Sequence, residues 1–200
     1  MFSVSTHLRR CNNMDVKKIG IKDKNLFYTY YWAKTKGFLS IEKLLGDVEQ
    51  ICEKSGAVVQ LLDPRFLLAP VLLDRAVLLA FSAKTHGYIY ARDLGIEVLR
   101  YLSAQHQIVE AKKMFGVDEN TQTICILVMS EKEGVISLVK SLLGKLVEET
   151  PPPKRETPLE TILTRYGLKR DDLSSVRAKS EEEAAVLLVG EKMALLAVER

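Results

Sequence analysis

The chain has 200 residues, 47% of them apolar and 28% charged. These are globular proportions, and they exclude a disordered, collagen-like or disulfide-scaffold protein. Its 29 Lys and Arg against 26 Asp and Glu leave a net charge of +3, too small for a general nucleic-acid coat, so any such site has to be a local patch.

Residues 1–24 hold +4 of the charge. They lack sustained periodicity and read as a basic arm or the lead into a first strand, with Met14 as an alternative start. Leu26 to Ala33 is rich in aromatics and suits a strand. Ser40 is an N-cap for a helix with Ile41, Leu44, Leu45, Val48, Ile51 and Cys52 at helical spacing, closed by Gly56. Ala57 to Leu62 reads as a short buried strand ending at Asp63 and Pro64, so the segment is a strand–helix–strand unit. Val71 to Ala83 predicts a helix apolar around much of its circumference, which suits a core helix and equally an interface. Asp93 caps a second helix through Leu102, and a third spans about Gln105 to Phe115, with Gly116 as its stop. Gln122 to Met129 predicts a strand and Glu131 to Glu149 an amphipathic helix. Residues 150–158, with three consecutive prolines, form a stiff polar linker. Beyond it come a short helix from Leu159, a helix at Glu181–Val189 and a strand at Met193–Val198.

The expected fold class is therefore α/β: a single domain over 25–149 with a small mixed β-sheet packed by helices. The arm at 1–24 precedes it, and a C-terminal helical and strand extension over 159–200 packs on the domain.

The search for chemistry finds no phosphate-binding glycine loop, no nucleophile elbow and no cofactor motif. Cys11, Cys52 and Cys125 form no C-x-x-C pair, which argues against a zinc site or disulfide framework. The longest apolar run, Phe66 to Leu73, is far short of a membrane span, and the N-terminus has no apolar signal core, so a cytoplasmic protein is expected. His106 and Glu110 are four residues apart on one predicted helix face but lack a third ligand. Asp93 and Glu97 share that spacing, and a capping role explains both. A different pattern runs through residues 84–113. Lys84, Arg92, Arg100, Lys112 and Lys113 oppose Asp93, Glu97 and Glu110, with Tyr88, Tyr90 and Tyr101 between them. Cations for phosphates beside rings for bases are the minimum kit for single-stranded nucleic acid, while a solvated helix face gives the same pattern.

The ordered set of Asp63 and Pro64, a Leu/Ala-rich helix ending at Ala83 to Thr85, Glu97 to Ser103, Gln107 and Ile108, Ala111, and Phe115 and Gly116 resembles the kinase-binding small subunit of the KEOPS complex, the CGI/TPRKB family. The resemblance covers about residues 26–148, and the tail from Glu191 to Leu196 resembles the end of archaeal members. It implies a non-catalytic subunit of the machinery that makes N6-threonylcarbamoyladenosine in tRNA. Such a subunit docks on the Bud/PRPK-type atypical kinase and grips the 3′ CCA end of tRNA. Metal and threonylcarbamoyl-adenylate belong to a separate Kae/TsaD-type transferase, so no cofactor is expected here. The family's polar signature falls on Lys84, Glu97, Ser103 and Gln107, and local chemistry adds Arg92, Ile96, Arg100 and Tyr101. In this reading Lys84 and Arg100 neutralise phosphates, and Ile96 or Tyr101 packs on a base. Glu97, Ser103 and Gln107 then hydrogen-bond base edges or sugar hydroxyls. His106 stands where a basic residue would be expected in relatives. Two other readings stay open: a small α/β enzyme with Asp93, Glu97 and His106 in a cleft, and a purely structural assembly subunit without RNA contact.

Overall fold

The computed structural model describes residues 15–37 and 39–199. Most of the expected basic arm, with His7, Cys11 and Met14, lies outside them. In chain order the elements are β1 (Lys17–Ile21), β2 (Lys24–Thr35), α1 (Ile41–Ser55), β3 (Val58–Leu62), α2 (Pro70–His86), α3 (Leu94–Ser103) and α4 (Ile108–Phe115). They continue with β4 (Ile124–Ser130), α5 (Glu133–Leu143), β5 (Val147–Thr150), α6 (Leu159–Arg165) and α7 (Glu181–Val198). The chain divides into two compact units. One comprises residues up to Asp63 together with Val117–Pro153, the other Pro64–Gly116 together with Lys154–Arg200.

The first unit is a sheet with helices α1 and α5. Alternating apolar positions and capping chemistry account for its elements. Ser40 accepts a hydrogen bond from the Lys43 amide at 3.2 Å, and Gly56 closes α1 in the left-handed region at φ 68°, where a Cβ would be strained. Strand order is β1-β2-β4-β3, with Tyr31 opposite Ile126 and Leu61 opposite Ile126 across the two central pairings. Every pairing among the described residues is antiparallel. Because β2 and β3 both run against β4, they are parallel to each other with β4 between them, so the expected strand–helix–strand unit is a split crossover rather than a parallel pair. β1 and β5 share the outer edge of β2, pairing Lys17 with Tyr28 and Trp32 with Thr150. Tyr31, Ala33, Ile124, Ile126 and Val128 form one core with Leu44 and Val48 of α1 and Ile136, Val139 and Leu143 of α5. All seven residues of β4 are buried, which fits its continuous apolar sequence.

The second unit is helical. α2 packs on α3 and α7, and α3 packs on α4 and α7. Seven residues of α2, from Leu72 to Ala83, are buried, so the core role among its two readings is the one this helix fills. Ser180 caps α7 through the Glu183 amide, and Glu181, Glu182 and Glu183 stand at the positive end of its dipole. Gly190 lies in the middle of α7, and its missing Cβ leaves room for the Arg75 guanidinium of α2.

Three expectations are corrected. The helix expected to run to Glu149 stops at Leu143, and Val147–Thr150 leaves it to extend the sheet. The strand expected at Met193–Val198 is the end of α7. The helix expected from Gln105 starts only at Ile108, so His106 lies outside it and the proposed His106–Glu110 helix face does not form.

Candidate nucleic-acid interface

All eight residues singled out from the sequence lie in the helical unit, from the end of α2 to the start of α4. Local chemistry positions them. Gly87 ends α2 at φ 76°, and the chain then runs irregularly to Asp93. The Asp93 carboxylate accepts the Gly95 and Ile96 amides at 2.8 and 3.1 Å and starts α3. At the other end Ala104 takes the left-handed conformation at φ 51°, with its amide to Tyr101 O and the Gln105 amide to Arg100 O. That Schellman-type turn directs the chain to Gln107, the N-cap residue of α4.

The eight residues separate into two groups by burial. Lys84, Arg92 and Gln107 are exposed and Ile96 is half-buried. Glu97, Arg100, Tyr101 and Ser103 are buried, Glu97 and Ser103 completely. Glu97 Oε1 accepts from Arg100 Nη2 at 2.8 Å and Nε at 3.3 Å, while its Oε2 accepts the Ala91 amide at 2.8 Å. The carboxylate therefore ties the loop before α3 to the helix itself. Arg100 completes the arrangement by lying over two rings, 4.7 Å from the Tyr101 centroid and 5.2 Å from that of Tyr90. Ser103 Oγ donates to Arg100 O at 3.1 Å. Tyr166, directly after α6, braces the end of α3, its hydroxyl donating to Leu102 O at 3.0 Å, and burial raises its pKa above the ordinary phenol value.

Arg100 spends its charge on Glu97, and Glu97, Tyr101 and Ser103 present no side chain to a ligand in this conformation. Of the three interleaved tyrosines of the sequence pattern, Tyr90 is the exposed one, at 68%. Tyr88 is engaged nearby, stacked on His86 with ring centroids 5.9 Å apart.

The residues of the alternative cleft each have a separate partner. Asp93 caps α3, Glu97 is paired with Arg100, and His106 Nε2 meets Glu199 Oε2, directly after α7, at 3.2 Å. Glu110 pairs with Lys113 at 2.7 Å rather than with His106. Among the described residues no group of three or more His, Cys, Asp or Glu is placed to hold a metal ion, and no helix is long and apolar enough to cross a membrane.

The family model described as Kinase binding protein CGI-121 matches residues 40–195. The chain belongs to this family. The match spans α1 through most of α7, so it covers part of each unit, without β1 and β2, and every one of the eight residues above. No curated protein matches the chain.

Proposed function

We propose that this chain is a non-catalytic, cytoplasmic subunit of a KEOPS-type complex of the archaeal kind. It binds the Bud/PRPK-type kinase and recruits tRNA through its 3′ CCA end, for N6-threonylcarbamoyladenosine formation by a Kae/TsaD-type transferase. The observation that carries the reading is the match to the kinase-binding family over residues 40–195. The RNA half is supported by the exposed Lys84, Arg92 and Gln107 with half-buried Ile96 on one helical unit. Lys84 and Arg92 meet phosphates, Gln107 hydrogen-bonds a base edge or sugar, and Ile96 offers apolar contact. Glu97, Arg100, Tyr101 and Ser103 set the geometry of that surface from behind it.

The test is binding of a tRNA transcript, with and without its terminal CCA, at two salt concentrations. Lys84→Glu and Arg92→Glu are expected to weaken CCA-dependent binding. Each lost phosphate contact should also reduce the salt slope by about 0.7. Arg100 is left intact because its substitution would strand Glu97 in the interior. Equal binding of the two transcripts would move RNA contact away from this surface. Binding of the kinase with no binding of tRNA would leave the structural assembly reading.

A further inference from the structure

Tyr90 is unusual in this chain. It is 68% exposed, yet it is not a free surface ring. One face is backed by Arg100, which is itself only 7% exposed and lies 5.2 Å from the ring centroid. Since Arg100 is buried, that face is the inner one, and the other face looks outward. The neighbouring backbone is fixed as well, because the Ala91 amide donates to the fully buried Glu97 carboxylate at 2.8 Å. A large flat ring held from behind by a buried ion pair, and fixed at the next residue, has paid its ordering entropy before any ligand arrives.

From this geometry we infer that Tyr90, braced by Arg100 and Glu97, is a stacking platform for one unpaired nucleobase. The inference rests on the RNA-end reading above and adds to it the residue that holds a base. Every base has a π face, and stacking on an aromatic side chain is the sequence-tolerant part of single-strand recognition. The buried cation draws π density to the inner face, which leaves the outer face suited to an electron-rich purine. The pairing of Arg100 with Glu97 has a second effect. It keeps the cation on the ring rather than on a phosphate, so backbone contacts fall to other residues, with Arg92 two positions along the chain. Tyr101, also in contact with Arg100, is only 1% exposed and cannot serve as the platform.

The experiment uses the full chain and a tRNA transcript carrying 2-aminopurine in place of its terminal adenosine, with a dye at the 5′ end. Dye anisotropy reads binding, and 2-aminopurine fluorescence, which falls when the base stacks, reads the platform. Wild type is expected to bind and to quench. Tyr90→Phe, which keeps the ring, should stay within about twofold. Tyr90→Ala should bind about 5- to 150-fold more weakly and lose the quench, at an unchanged melting temperature. If wild type binds without quenching and Tyr90→Ala binds as tightly, the platform is overturned while the RNA-end reading stands. If wild type binds the transcript at no salt concentration tried, the RNA-end reading falls and the platform with it.

Discussion

Each unit encloses a tyrosine, and the two are treated differently. In the helical unit the Tyr166 hydroxyl donates to Leu102 O at 3.0 Å. In the sheet unit the buried Tyr31 hydroxyl has no hydrogen-bond partner among the described residues, and Lys140 lies over its ring at 4.8 Å. Charge is handled differently too: the sheet unit buries a carboxylate, Asp63 at 1% exposed, which accepts from the Thr121 hydroxyl at 3.0 Å. The sheet unit's core cluster is apolar apart from that one phenol, and its helices α1 and α5 bury a single stripe. The helical unit encloses an ion pair, Glu97 with Arg100, and satisfies both carboxylate oxygens. Desolvating a charge costs several kcal/mol unless geometry and hydrogen bonds offset it, so a buried pair of this kind specifies an arrangement more than it adds stability. What it specifies here is the loop that carries Tyr90.

Removing half of that pair should have the largest effect. Glu97→Ala leaves Arg100 buried and uncompensated and is expected to cost about 3–5 kcal/mol in chemical denaturation. Replacing both members, Glu97→Leu with Arg100→Met, should recover most of that loss while still abolishing the ordered loop. The matching test in the sheet unit is Leu44→Ala, expected to cost about 2–5 kcal/mol, with Leu44→Met held to about 1.5 kcal/mol because only volume is at stake. If Glu97→Ala proved as mild as Leu44→Met, the contrast between the units would collapse.

Alkaline pH sharpens the comparison next. Burial raises the pKa of Tyr166, and burial followed by the Glu149 carboxylate raises that of Tyr31, both from an ordinary 10.0. The folded protein therefore holds protons that the unfolded chain releases. That stability is fully present below pH 10 and is lost as pH rises beyond it, by about 1.4 kcal/mol per pH unit for each tyrosine. Urea titrations between pH 9 and 11 should show the fall, lessened in either Tyr→Phe variant, with the Cys125 thiol, which burial pushes up to about 12, adding its own share. At pH 7 the two variants should part. Tyr166→Phe loses a hydrogen bond worth about 1 kcal/mol and strands a buried carbonyl, whereas Tyr31→Phe removes an unpartnered hydroxyl and should be neutral or stabilising.

The smallest effects are expected at two helix ends. α1 ends on Gly56 at φ 68° and α3 on Ala104 at φ 51°. Ala104→Gly should stabilise by about 1 kcal/mol and Gly56→Ala should destabilise by a similar amount, both readable as shifts in denaturation midpoint.

Much of this architecture was legible where local signals suffice. Ser40 and Gly56 bound α1 to the residue, and Asp93 is the cap that its position before Leu94 implied. Local signals failed where the partner is distant. Val147–Thr150 carries Glu148 and Glu149 and continues an amphipathic pattern, and only its pairing with β2, more than 100 residues earlier, makes it a strand. Met193–Val198 is apolar in nearly every position, so periodicity could not separate strand from helix. At the candidate site the sequence suggests a capping role for Glu97 and a phosphate partner for Arg100, whereas the two stand three apart on one helix and pair with each other. Nothing in the sequence says which of Tyr88, Tyr90 and Tyr101 is left exposed, because that depends on where Arg100 settles.

The division of the chain has a practical consequence for mapping partners. The helical unit is made of two stretches, Pro64–Gly116 and Lys154–Arg200, and the sheet unit's second stretch, Val117–Pro153, lies between them. Trimming either terminus therefore never yields one unit by itself. A fragment ending at Pro153 keeps the sheet unit but retains α2 to α4 without α6 and α7, and a fragment starting at Pro64 carries α5 and β4 without β2. Loss of binding by such fragments would report an unfinished core, not a missing contact, so point substitutions on the intact chain are the route to assigning either partner.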